Sequence, residues 1–142
     1  PSEKVSRLEF LVCAMDAFGA GNIPSSSDAG FADTDTIPEK HRGYVSAAKS
    51  LGIVSGVNEG GRMYFRGDEE ITYAQAAVIL NRIIGLESDG TKSLSADVPE
   101  WAYRDVCALT ENGILDPYCN VSASVDRAGC AQIVCEAVRF FD

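Results

Sequence analysis

The chain repeats itself, and this constrains its fold more than any other feature. Phe31-Ala32-Asp33 is followed by Ile37-Pro38-Glu39, by a helical run from Tyr44 to Leu51, and by Gly52-Ile53-Val54. The same order returns as Ser95-Ala96-Asp97, Val98-Pro99-Glu100, a run from Asp105 to Asn112, and Gly113-Ile114-Leu115. From Pro38/Pro99 to Gly52/Gly113 the two copies align without a gap. A shorter block occurs three times, as Val5-Ser6-Arg7-Leu8-Glu9, Ile71-Thr72-Tyr73-Ala74-Gln75 and Val125-Asp126-Arg127-Ala128-Gly129, each opening an apolar-periodic helix. Repeat units bury their apolar faces against their neighbours, so the chain is expected to fold as a helical repeat assembly.

Apolar spacing predicts five helices. The first, 6–18, carries Leu8, Leu11, Val12, Met15 and Phe18 on one stripe, starts with a Ser6/Glu9 capping box and ends at Gly19. The second, 38–51, opens on Pro38, turns Val45, Ala48 and Leu51 inward and exits at Gly52. The third, 72–84, has a Thr72/Gln75 capping box, the stripe Ala76, Ile79, Leu80 and Ile83, and a stop at Gly85. The fourth spans 99–112. The fifth, 126–140, carries Cys130, Ile133, Val134, Ala137 and Val138; Asp126 can cap it, but Gly129 cannot complete a box. Asn58-Glu59-Gly60-Gly61 before Arg62-Met63-Tyr64-Phe65 predicts a tight hairpin within 57–65. The last unit has lost that hairpin, and Phe65 has no counterpart there. Residues 22–30 and 87–95 are expected to be polar connectors.

A chain of 142 residues suits one domain, 1–142, and is long enough to bury a core. Its sub-repeats are 1–30 (the second half of a first unit), 31–86 and 95–142. No apolar stretch reaches membrane-span length and no signal-like segment opens the chain. Pro1 is therefore expected to be a processed or an engineered terminus. The net charge of −9 argues against a nucleic-acid partner and favours solubility, while leaving room for an anionic ligand held by a few arginines. Cys13, Cys107, Cys119, Cys130 and Cys135 form no C-x-x-C pair, and His41 is the lone histidine, so neither a metal nor another cofactor is expected. Cys13, Cys130 and Cys135 sit in helical runs as small buried hydrophobes, and Cys107 with Cys119 is the pair to inspect for a disulfide. No catalytic constellation appears, so the chain is not expected to be an enzyme.

The motifs and their order resemble the S-layer homology family. The middle unit keeps Phe31-Ala32-Asp33, Ile37-Pro38, Gly52-Ile53-Val54-Ser55-Gly56, Met63-Tyr64-Phe65-Arg66 and Ile71-Thr72. The last keeps Ala96-Asp97-Val98-Pro99-Glu100-Trp101-Ala102, Gly113-Ile114-Leu115 and Asp126-Arg127-Ala128. The resemblance implies a mainly α fold, a pseudo-threefold, three-pronged helical bundle with one short β-hairpin. Helices 6–18, 72–84 and 126–140 would meet at the axis, with the two shorter helices outside. It also implies a non-catalytic, secreted module at the bacterial cell surface or cell wall, binding a pyruvylated secondary cell-wall polysaccharide. The competing readings are a degenerate module for contact with other surface proteins, and an accessory module of a larger wall-associated enzyme.

A capped helix N-terminus favours anions, and an arginine after the cap adds a planar donor fork, as at Arg7 and Arg127. The resemblance implies that this arginine helps hold an acidic pyruvyl group. Tyr73 stands at the equivalent position in the middle unit, where it donates without charge; that groove is either lost or selects something less acidic. Trp101 either stacks on a sugar or anchors its helix. Asp33 and Asp97 either accept from sugar hydroxyls or hold a local turn, the turn being favoured. Gly52, Gly56 and Gly113 belong to the exit motifs expected to line grooves. Asp33-x-Asp35 lacks the rest of a calcium loop and is expected to be a solvated turn.

Overall fold

The computed structural model describes residues 3–19, 28–90 and 97–142. Pro1, Ser95, Ala96 and parts of both predicted connectors lie outside them. The elements are α1 (Arg7–Ala17), a 3-10 turn (Thr34–Thr36), α2 (Glu39–Ser50), β1 (Val57–Glu59), β2 (Arg62–Tyr64), α3 (Tyr73–Ile84), α4 (Glu100–Glu111) and α5 (Arg127–Phe140). The fold is mainly α with one short antiparallel hairpin, as the repeat pattern predicts. The chain divides into two compact units, one of residues 6–69 and one of residues 1–5 with 70–142.

In the 6–69 unit, α1 begins with the predicted box. Ser6 Oγ accepts from Glu9 N–H at 3.1 Å, and Glu9 Oε1 accepts from Ser6 N–H at 2.9 Å. Such a cap contributes about 1 kcal/mol. The helix buries Phe10, Leu11, Ala14 and Met15 and packs on α2, where Tyr44 donates to Asp16 at 2.7 Å. Each large apolar side chain buried in this way contributes about 1.5–3 kcal/mol. Helix α2 buries Val45 and Ala48, but Leu51 is 71% exposed and corrects the predicted inward stripe. Leu51 is the C-cap residue, and Gly52 at φ 77° turns the chain back on itself. Ile53 and Val54, whose N–H groups both donate to Ala48 O, fill the apolar space instead.

The hairpin pairs Val57 with Tyr64 and Glu59 with Arg62 across Gly60-Gly61. Both glycines have positive φ, 61° and 82°, which suits a two-residue turn that follows the strand twist. Beyond it Phe65 is fully buried, its ring centroid 5.7 Å from that of Phe31.

In the other unit, the three lead-in residues of the threefold block close a ring of backbone hydrogen bonds. Val5 N–H donates to Val125 O (2.9 Å), Val125 N–H to Ile71 O (2.8 Å), and Ile71 N–H to Val5 O (3.0 Å). All three side chains are buried. The repeated apolar residue before each cap thus has a shared physical role, pairing its backbone in turn with the other two copies.

Helix α3 has its Thr72/Gln75 box and buries Ala74, Ala76, Ala77, Val78, Ile79 and Leu80, the signature of a helix covered on most sides. It packs on α4. Buried Asn81 makes three bonds there, donating to Leu86 O and Asp105 Oδ1 at 2.9 Å each and accepting from Leu86 N–H at 3.0 Å. Helix α5 buries Cys130, Ile133, Val134 and Ala137.

Cys13 and Cys135 are exposed, against the expectation that they are core residues; each lies on the outer face of its helix. All five cysteines are thiols, so the Cys107–Cys119 bridge is not formed.

Candidate functional site

The three helix starts are built alike, and their backbones are already in use. At the first helical position, Arg7 N–H donates to Glu69 O (2.9 Å), Tyr73 N–H to Ala123 O (3.1 Å) and Arg127 N–H to Glu3 O (3.0 Å). At the second, Leu8 N–H donates to Gly67 O and Ala74 N–H to Val121 O. The third N–H is taken by the cap side chain: Ser6, Thr72 and Asp126, the last accepting from Gly129 N–H at 2.7 Å. This corrects the expectation of open helix N-termini at α1 and α3. Donors that would attract an anion there instead hold a neighbouring segment of backbone. What these positions can still offer a ligand is their side chains.

Arg7 is half-buried. Its Nε donates to Phe65 O at 3.2 Å, and its guanidinium lies 5.5 Å from the centre of the Phe65 ring. Burial pulls its pKa down, with Arg66 acting in the same sense and Glu69 and Asp33 opposing. Arg127 is exposed at the first turn of α5 and pairs with Glu3, Nε to Oε2 at 3.1 Å.

Asp33 is committed to backbone. Its Oδ1 accepts from Phe65 N–H and its Oδ2 from Arg66 N–H, both at 2.9 Å, which holds the chain where Arg66 takes φ 59°. Asp97 is exposed, in the unit that lacks a hairpin and hence those two amides. Gly56, at φ 78°, is packed: a Cβ there would lie 2.4 Å from Phe31 Cε1 and 2.9 Å from Tyr64 O. Gly52 and Gly113 serve as left-handed helix exits, at φ 77° and 74°.

Trp101 is 60% exposed on the first turn of α4, while its neighbour Ala102 is fully buried. Ala102, Val106 and Leu109 anchor α4, and the indole is left facing solvent.

Tyr73 opens a cleft of about 150 Å³, lined also by Ile114, Leu115, Asp116, Cys119, Gly129, Gln132 and Ile133. A Cβ on Gly129 would lie 2.0 Å from the Tyr73 hydroxyl oxygen. The phenol therefore occupies the space where the other two copies carry the Glu9 or Gln75 side chain of the capping box. Burial pushes the Tyr73 pKa up, with Cys119, Asp126 and Cys130 adding to it, so the hydroxyl stays protonated and remains a donor. Burial and Asp116 likewise raise the Cys119 pKa. Asp116 is fixed by its own turn: its Oδ1 accepts from Tyr118 N–H at 2.8 Å and its carbonyl from Cys119 N–H at 3.0 Å.

Of the site residues expected from sequence, Tyr73 lines this cleft, immediately beside the exit motif that begins at Gly113; Arg127 and Trp101 do not line it. Arg7, Asp33, Gly52 and Gly56 belong to the 6–69 unit. Sequence reading missed Asp116 and Gln132. Asp116 directly follows the Gly113-Ile114-Leu115 exit, and Gln132 lies three residues beyond Gly129 on the same helix face, so the signal was present as spacing. Among the described residues, no group of His, Cys, Asp or Glu is placed to hold a metal ion. No described helix is long and apolar enough to cross a membrane.

These features define a helical module built from a repeated capped helix start and a repeated glycine exit. Residues 30–77, about a third of the chain, match the family model of the S-layer homology domain. The matched segment takes in Asp33, all of α2, the hairpin and the first turn of α3. That family consists of non-catalytic modules that attach proteins to cell walls by binding wall polysaccharides. No curated protein matches the chain.

Proposed function

We propose that this chain is a secreted, non-catalytic anchor that holds a bacterial surface protein to the wall by binding an anionic, pyruvylated secondary polysaccharide. The observation that carries the reading is Arg127. It stands beside a helix cap at the surface, and its ionic partner Glu3 is itself exposed. A surface pair of this kind contributes about 0–1 kcal/mol, so a ligand carboxylate can replace Glu3 at small cost. A carboxylate that takes Glu3's place on the guanidinium makes an oriented, charge-assisted contact with its planar donor fork. Trp101, exposed on α4 of the same unit, offers an apolar face to a sugar ring. Arg7, held by Phe65, supports its own fold and takes no part in the contact.

The test is binding of the chain to purified wall polymer before and after chemical removal of its pyruvyl groups. Tight binding to the intact polymer, weakened by removal and by Arg127→Ala, supports the reading. Equal binding to both polymers overturns the anionic ligand. Capture of other surface proteins without any polymer binding would instead favour a protein-contact module.

A further inference from the structure

We propose that the cleft under Tyr73 is a separate site for one uncharged sugar residue, selective against the acidic group that Arg127 takes. The proposal rests on the reading of the chain as a wall-polysaccharide binder and assigns a second specificity within it.

The cleft, about 150 Å³, has room for one ring face rather than an extended chain. Its walls combine apolar Ile114, Leu115 and Ile133 with the Tyr73 phenol, the Asp116 carboxylate and the Gln132 amide. That set matches a neutral polyol. Ring C–H groups meet the aliphatic side chains, hydroxyls donate to Asp116, the phenol donates to a ring or hydroxyl oxygen, and the amide does both. No lysine or arginine lines the cleft, and Asp116 is a carboxylate, so an acidic ligand meets repulsion with no opposite charge among the lining residues to offset it.

Two features mark the cleft as organised rather than decayed. Asp116 is oriented by Tyr118 N–H before any ligand arrives. Tyr73 has its seat only because residue 129 lacks a side chain, since a Cβ there would lie 2.0 Å from its hydroxyl. The chain thus carries two matched departures, a tyrosine for the arginine of the other copies and a glycine for their box-completing Glu or Gln.

The experiment is an amide-resolved NMR titration of the intact chain with millimolar neutral methyl glycosides (glucose, galactose and N-acetylglucosamine) and, separately, with pyruvate. The expected result is that one neutral glycoside shifts the amides of Tyr73, Asp116, Gly129 and Gln132, while pyruvate leaves them still. Asp116→Asn and Tyr73→Phe should each weaken that binding roughly fivefold, the loss of about one hydrogen bond, with the spectrum otherwise unchanged. The paired change Tyr73→Arg with Gly129→Gln should abolish the glycoside response and create a response to pyruvate. Cleft amides that move with pyruvate, or that move with none of the glycosides, overturn the proposal. Intact polymer binding beside a silent cleft would sink this inference alone, and a responsive cleft in a chain indifferent to pyruvylation would sink the anionic reading alone.

Discussion

Asp33 Oδ2 accepts from the N–H of Arg66 at 2.9 Å across 33 residues of chain, at the one described non-glycine position with positive φ. With Oδ1 on Phe65 N–H, this carboxylate closes the turn that seats Phe65 in the core. An aspartate predicted to be a site residue or a local brace is therefore a long-range brace. Arg66 also pairs with Glu59 and Glu69, which ties the hairpin to the turn after it.

Asp33→Ala is predicted to be strongly destabilising. It strands two part-buried amide donors, each costing about 1–3 kcal/mol. Asp33→Asn keeps one acceptor and should cost about half as much. Urea denaturation of both variants checks this; a loss below about 1 kcal/mol for Asp33→Ala would show that the turn closes without the carboxylate.

The periodic parts of the fold were legible because they obey local rules. Both capping boxes, the Gly60-Gly61 turn and the Gly52 exit are each set by a few adjacent residues. Leu51 was misread because helical spacing extends an apolar stripe to the last turn without registering that the cap points outward. The site was less legible. Open helix N-termini were expected, but the donors are consumed by carbonyls such as Glu69 and Ala123, far away in sequence and invisible to any local pattern. Tyr73 and Gly129 were both noted as departures; only the structure shows that each explains the other.

Tyr73 and Gly129 should show energetic coupling. Gly129→Gln alone gains helix propensity and could complete a box with Asp126, but its Cβ collides with the phenol, so it should give no net stabilisation. Combined with Tyr73→Arg, the same change should stabilise. A double-mutant cycle is predicted to give a coupling of about 1 kcal/mol or more, and additivity within about 0.3 kcal/mol would reject the steric account.

His41 should impose an acid-side penalty. Burial holds its pKa below the ordinary imidazole value, Lys40 adds to this and Asp16 opposes it, and Nδ1 is buried with no partner among the described residues. The unfolded chain, titrating near about 6.5, then binds more protons than the folded one. Stability should therefore rise with pH from the folded pKa up to about 6.5 and gain nothing further from this group above it. His41→Gln should flatten that slope, measured as the urea midpoint at about pH 5 and about pH 7.5. An unchanged slope would mean that the ring is solvated when charged.

Trp101 provides the most direct optical test of binding. An indole 60% exposed contributes little to packing, and α4 is already anchored by Ala102, Val106 and Leu109. Trp101→Ala should thus shift stability by no more than about 0.5 kcal/mol, the range of an ordinary surface substitution. Stacking on a sugar moves the ring from water to an apolar contact, so its fluorescence should shift to the blue and rise when wall polymer is added. As the only tryptophan, it makes the signal unambiguous. Loss of polymer affinity in Trp101→Ala, with the melting temperature unchanged, would place the indole in the contact. Polymer binding that leaves both the emission and the variant's affinity unaltered would remove Trp101 from the site and leave Arg127 to carry recognition on that face.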